Sequence, residues 1–354
     1  MTEMILGGQI TSALTTFAGL GLALILEGDG AEHVRLGWTD AAEPRMVVTA
    51  DRYDDDAISA AIHRHATACL AADSWIGRDL QSQPWKGGSA VFSPRVKAPK
   101  SVDHWQSLQA ERLQGIDHEL YDGSEPGYGI DLELIGALGE PAYWRFVSND
   151  PRPDEGASRW EMKTRNQGQD FVTNRLRRLA RFVADRDVTS ICTGLSGKTL
   201  KDEAYEGKRS DESRTATGLT PPRFTDSALA WCALWGISCF PVIHRTTGAS
   251  VTAGAVPIGR FTPKHLVLPV FVGPHSLDRW RVVVASEQVV QAAASTAEVA
   301  ADVPSADALA AEVPARAWLT AHGVRAVITF RVHVSDNSKA PERSLGIGRL
   351  EVMS

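Results

Sequence analysis

The stretch MILGGQITSALTTFAGLGLALILEGDGAEHVRLGWTDAAEPRMVVTA, residues 4–50, decides how the chain begins. A short apolar run at residues 4–6 and two glycines lead into residues 12–27, which are dense in Leu14, Phe17, Ala18, Gly19, Gly21, Ala23 and Leu24. That density predicts a helix packed closely on a sheet, not one facing water. Strand patterns follow at residues 33–38 and 45–49, and then a helical pattern at 57–72. Asp54, Asp55 and Asp56 stand just before that helix, where carboxylates accept the free amides of a first turn and complement its dipole. A strand, a helix, two strands and a second helix make an α+β start, for which the ferredoxin-like fold is the candidate.

Outward from this opening, residues 74–126 change to tryptophans, prolines, glycines and polar residues, which predicts loops with short elements. The basic residues Lys86, Arg95, Lys97 and Lys100 fall there with no acid between them. Residues 131–139 read as a strand and turn, and the Asp-, Asn- and Pro-rich residues 148–156 as a boundary. The clearest helical period spans residues 169–186, where Val172, Leu176, Leu179 and Val183 share one stripe and Arg177, Arg178 and Arg181 lie largely off it. Residues 196–222 are polar and predict a long loop, mobile when alone. Thr225 or Asp226 caps a helix to about Cys239 that is apolar nearly all round and therefore buried. Strands at 241–245 and 265–272 precede a helix from near Ser276. The alanine-rich residues 292–311 read as a linker plus a poorly ordered helix, and strands at 324–334 and 345–352 flank a polar turn.

The fold class is thus α+β, with a ferredoxin-like N-terminal lobe, a helical and basic middle section, and a mixed C-terminal lobe. Three stretches follow: an acidic α+β lobe at 1–147, a basic section with a long loop at 148–224, and an α+β lobe with a buried helix and C-terminal hairpin at 225–354. Each lobe is long enough to bury a core of its own. The 354 residues carry 37 basic and 43 acidic side chains, a balance that argues against gripping nucleic acid through overall charge. The charge is uneven, however. Residues 142–225 hold 16 basic and 12 acidic side chains, while residues 1–141 hold 10 and 21. Four scattered cysteines without a C-x-x-C pair fit a reducing cytoplasm, and neither an export signal nor a membrane span is expected.

Motif chemistry leaves little room for an enzyme. Residues 192–199, CTGLSGKT, resemble the end of a phosphate-binding loop, but cysteine stands where the pattern requires glycine. His63 and His65 are two apart on a helix and so point away from each other, and His65 shares a stripe with Ile58, Ile62 and Cys69, as a buried histidine would. His118, His244, His265, His275 and His333 are possible general bases, with nothing in the sequence to place one beside a nucleophile. No catalytic residue, metal ligand or cofactor is assigned. The strongest chemical signal is SRWEMKTRNQGQDFVTNRLRRLAR, residues 158–181, with seven basic residues against Glu161 and Asp170. Arginine's planar fork suits phosphate oxygens, and Lys198, Lys201, Lys208, Arg209 and Arg214 carry positive charge on into the loop. A solvated helix face is the plainer reading of the same residues.

Several phrases resemble the CRISPR-associated proteins of type I-G (formerly I-U) effector complexes. They are TTFAGLGLALILEGDG (15–30), HVRLGWTD (33–40), DLELIGALGEPAYWRF (131–146), GASRWEMKTRNQGQDFVTNRLRRLA (156–180) and SRTATGLTPPRFTDSALAWCALWGISCFPVIHR (213–245). The resemblance implies a non-catalytic, large-subunit-like component of an RNA-guided surveillance complex, near the crRNA 5′ end. Such a component contacts crRNA and target DNA, helps recognise the protospacer-adjacent motif and recruits the helicase-nuclease beside other effector subunits. In this setting base pairing reads the sequence and protein holds backbones. Lys163, Arg165, Arg175, Arg177, Arg178 and Arg181 are then expected on backbones and Asn166 and Gln167 at base edges, with Arg159 also among the nucleic-acid contacts and the loop carrying Lys198, Lys201, Lys208, Arg209 and Arg214 expected over the duplex. The alternatives are a metal-independent crRNA-processing endoribonuclease and a scaffold that touches only protein.

Overall fold

The computed structural model describes residues 2–77, 91–96, 101–121, 128–140, 146–147, 150–151, 153–162, 171–204, 215–245, 248–296, 299, 306–336 and 342–353. It is an α+β protein whose sheets are small and antiparallel. The opening is β1 (Thr2–Ile5), α1 (Ala13–Gly28), β2 (Arg35–Trp38), β3 (Met46–Ala50) and α2 (Asp55–Ala68). β3 lies between β1 and β2 and runs antiparallel to both, with Met4 opposite Val48 and Leu36 opposite the same residue. This is the split β-α-β half of the ferredoxin-like arrangement. Among the described residues no fourth strand pairs beside β1, so the expected lobe is matched only through α2. Asp54 caps α2 as expected, its carboxylate accepting the Ala57 amide at 2.8 Å.

Two stretches differ from the sequence reading. Of residues 131–139 all but Gly139 lie in a helix, α4 (Tyr128–Leu138), because Ile130, Leu134, Ala137 and Leu138 recur at helical spacing and all are buried. Residues 102–121, expected as loop, form α3 (Val102–Tyr121). Its buried stripe is Trp105, Leu108, Arg112, Gly115 and Glu119, only two of them large and apolar, so hydrophobic periodicity does not reveal it. Arg112 is accommodated by donating to the carbonyls of Val91 at 2.5 Å and Gly139 at 3.3 Å and by pairing with Glu140. Two short strands, β4 (Phe146–Val147) and β5 (Asp150–Pro151), pair with each other at the expected boundary.

The basic helix begins as a π turn at Val172–Leu176 and continues as α5 (Arg177–Ala184), with α6 (Val188–Leu195) after it. α7 (Ser227–Trp235) is capped by Asp226, which accepts the Ala228 amide, and ends in a 3-10 turn at Gly236–Cys239. Every residue of α7 is buried, as its composition predicts. α7 lies directly against α1, which is buried from Ala13 to Leu26. The two backbones touch: a Cβ added at Gly21 would fall 1.8 Å from the Cys232 carbonyl oxygen, and one at Gly236 would fall 2.0 Å from that of Phe17. Beside the crossing, Phe17 and Phe240 stack with ring centroids 4.3 Å apart. α1 is therefore held between a sheet and a helix, where the sequence suggested a sheet alone.

The remainder comprises β6 (Val242–Ile243) paired with β7 (Val251–Thr252), then β8 (Ala255–Val256), β9 (His265–Phe271), α8 (Leu277–Ala285), α9 (Glu287–Gln291), α10 (Ala306–Ala321) and β10 (Val324–Val334). β10 pairs with β9 on one side and with β11 (Arg343–Leu345) and β12 (Arg349–Val352) on the other. The single terminal strand expected at 345–352 is thus two, separated by Gly346 and Gly348. The alanine-rich region yields a helix ten residues longer at its end than the sequence suggested, α10 reaching Ala321. One cluster of buried side chains runs from Met4 to Leu345, so the three stretches read from the sequence share a core. No helix among the described residues is long and apolar enough to cross a membrane.

Candidate nucleic-acid interface

Residues 171–184 put the expected stripe inside: Val172, Leu176, Leu179 and Val183 are all buried. Arg178 and Arg181 face solvent, and Arg177 is half-buried with its Nε donating to the Ile76 carbonyl at 2.6 Å. Arg178 donates to the Ala204 carbonyl at 3.1 Å and lies over the Phe182 ring. Lys201, three residues before Ala204, is exposed and donates to Ser190 Oγ at 2.9 Å. The segment 201–204 therefore joins Arg178 on α5 to Lys201 beside the start of α6. Arg181 lies one helical turn beyond Arg178. Asp185 and Asp187 are exposed at the α5–α6 junction and temper this face.

Lys198 is exposed at the other end of α6. The phosphate-loop likeness around it fails in structure as in pattern. The glycines terminate a helix instead of opening one, and the amides of Lys198 and Thr199 donate to the Thr193 carbonyl at 3.0 and 3.2 Å. Those amides are spent on a helix C-terminus, whose dipole is negative, and form no anion cradle.

Two expected contact residues are turned inward. Arg175 is 9% exposed and donates to the carbonyls of Glu161 and Thr217 at 2.7 and 2.8 Å. It stands three residues after Val172 and four before Leu179, on the apolar stripe itself, so its direction was legible from the spacing. Arg159 is 1% exposed; its Nη2 donates to the Glu155 carbonyl at 3.2 Å and its guanidinium lies over Phe261. Both act within the protein, which corrects their expected place on an open surface. Lys163, Arg165, Asn166, Gln167, Lys208, Arg209 and Arg214 lie outside the described residues.

The described part of the expected loop is pinned. Buried Arg186 donates to Asp226 Oδ1 at 2.9 Å, to both Glu203 oxygens at 2.9 and 2.7 Å, and to the Lys201 carbonyl at 2.6 Å. Burial pushes Glu203 upward in pKa, and hydrogen bonds from Arg186 and Ser227 outweigh it, leaving the group below its ordinary value. Asp202 receives only backbone donors and burial lifts it to about 6. The sequence missed Arg186 as the anchor because its partners lie 17 and 40 residues away.

The histidines stay apart. His244 bonds Ser250 Oγ at 2.9 Å and burial lowers its pKa; His275 meets the Val272 carbonyl at 3.1 Å; His265 is fully buried in β9; His118 and His333 lie elsewhere, on α3 and β10. His65 packs against Trp231 and Trp235, and burial pushes its pKa down to about 3, which keeps the ring neutral. Its Nε2 lies 3.9 Å from Cys69 Sγ, and its Nδ1 is without a hydrogen-bond partner. His63 ties α2 to α5 through the Ala184 carbonyl at 3.0 Å. Among the described residues no group of three His, Cys, Asp or Glu side chains is placed to hold a metal ion. No protein-family model and no curated protein matches this chain.

Proposed function

We propose that this protein is a non-catalytic subunit of a CRISPR type I RNA-guided surveillance complex in antiviral defence, working in the cytoplasm. It contacts crRNA and target DNA alongside other effector subunits, takes part in recognising the protospacer-adjacent motif and recruits the helicase-nuclease. The resemblance of five phrases between residues 15 and 245 supports the assignment to the system. The observation that carries nucleic-acid contact is the exposed basic face at the α5–α6 corner, where Arg178, Arg181 and Lys201 reach solvent from a rigidly anchored frame. Lys198 adds a further charge. Cations of this kind hold a backbone by releasing its counterions and carry no sequence information themselves.

The test reverses charge at Arg178 and Arg181, which are exposed and can change without opening the core. The R178E/R181E chain should fold and assemble, bind duplex DNA and single-stranded RNA more weakly, and show a slope of log affinity against log salt shallower by roughly 2. Unchanged nucleic-acid affinity together with loss of a protein partner would make this face a protein-binding one and overturn the reading.

A further inference from the structure

Two exposed loops lie side by side next to the basic face. Residues 197–201, after α6, are exposed throughout, and so are residues 222–224, before α7. Bonds from both loops tie them together at their bases. The Thr225 amide donates to Asp202 Oδ2 at 2.6 Å, the Lys201 amide to Asp226 Oδ2 at 3.0 Å, and the Ser227 amide to the Lys201 carbonyl at 3.0 Å. Buried Arg186 bonds Asp226 and the Lys201 carbonyl from beneath, so the ridge stands on a fixed frame. Arg223 is anchored as well, its Nη2 donating to Ser12 Oγ at 3.0 Å.

The ridge carries Lys198, Lys201 and Arg223, and among the described residues no carboxylate pairs with any of them. Neither loop contains an acid. Asp187, the exposed acid near Lys201, accepts from the amide and the hydroxyl of Ser190 instead. Among these cations stand two large apolar side chains, Leu200 at 56% exposure and Phe224 at 45%. The combination selects a partner. An apolar protein surface would cover the cations without neutralising them, which costs more than the apolar contact returns. A duplex presents phosphates, but its base faces are stacked on one another inside the helix and leave the ring without a use. A single strand presents phosphates and open base faces together, and proteins hold such strands with cations that track the backbone and aromatic rings beneath the bases.

We propose that the ridge of residues 197–201 and 222–224 is a binding site for single-stranded nucleic acid, with Lys198, Lys201 and Arg223 on phosphates, Phe224 stacked on a base and Leu200 packed beside it. This rests on the reading of the adjoining α5–α6 face as a nucleic-acid surface and gives that surface its ligand class.

The experiment measures the affinity of the full chain, by fluorescence anisotropy, for a short oligothymidylate, an oligouridylate and an abasic sugar-phosphate strand of the same length, and a duplex. The base-bearing single strands should bind more tightly than the abasic one, and the better of the two assigns the strand to DNA or RNA. Phe224→Ala should weaken both by about tenfold or more, the usual worth of one base–aromatic stack, and leave the abasic strand, the duplex and the salt slope unchanged. Phe224→Trp should keep the affinity or raise it, a rescue that a merely structural ring does not require. K198Q/R223Q should weaken every single strand, the abasic one included, and make the slope of log affinity against log salt shallower by roughly 1.4. Binding by the parent that Phe224→Ala leaves intact, or weakens equally for the abasic strand, overturns the ridge as a stacking site while the α5–α6 face stands. Binding of none of the probes overturns both.

Discussion

Arg175 and Arg178 stand three residues apart on one basic run and have opposite fates. Arg175 falls on the apolar stripe and spends its donors on two carbonyls inside the protein, while Arg178 faces outward. Net charge over the run treats the two alike, whereas helical spacing separates them, and that spacing was available in the sequence. Asp131 was beyond such reading, because its environment comes from Trp75, 56 residues earlier, whose indole donates to it at 2.6 Å. Burial lifts Asp131 to about 7 in spite of that bond. The folded protein therefore holds a proton there that the unfolded chain releases near pH 4, and the stability tied to it is present at low pH and lost as pH rises from about 4 to about 7. Asp131→Asn keeps an acceptor for Trp75 and carries no charge. Denaturant unfolding across pH should show the variant more stable than the parent at pH 8, on the order of 2 kcal/mol, and level with it near pH 4. Equal stability at both pH values would show that Asp131 is ionised and solvated.

At the scale of elements, what could be read depended on whether the buried positions were apolar. β10 and α7 match their patterns, since their inward residues are hydrophobic. α3 was hidden because Arg112, Gly115 and Glu119 occupy three of the five positions of its buried stripe, and α4 because Leu132 and Leu134 alternating with Asp131 and Glu133 imitate a strand. The small residues of α1 announced a close approach without naming the partner, which is α7. That approach gives a sharp prediction. A methyl at Gly21 would overlap the Cys232 carbonyl, so Gly21→Ala must push two buried helices apart, despite alanine's better helix propensity. The expected cost is about 1–3 kcal/mol, as for other overpacked cores, read as a lower denaturant midpoint. A gain in stability, as at an exposed helical glycine, would mean that the helices do not touch there.

For the whole molecule, the α+β class was legible in the sequence, and so was the opening order through α2. The sharing of one core was not, because it rests on packing of α1 against a helix some two hundred residues later. The candidate interface was legible in part. Arg178, Arg181, Lys198 and Lys201 are outside as expected, Arg159 and Arg175 are inside, and the placing of Arg223 and Phe224 beside Lys201 required the fold to lay two separate loops together. The overall acidity and the basic corner suit a chain that meets nucleic acid as one member of an assembly, with neighbours supplying the rest of the grip. The most direct measurement is to tag this chain in its native host, purify it gently, and resolve the co-purifying RNA and protein on denaturing gels. A subunit of a surveillance complex should bring down RNA of one discrete guide length together with several protein subunits. A lone protein free of RNA under the same salt would contradict that assignment.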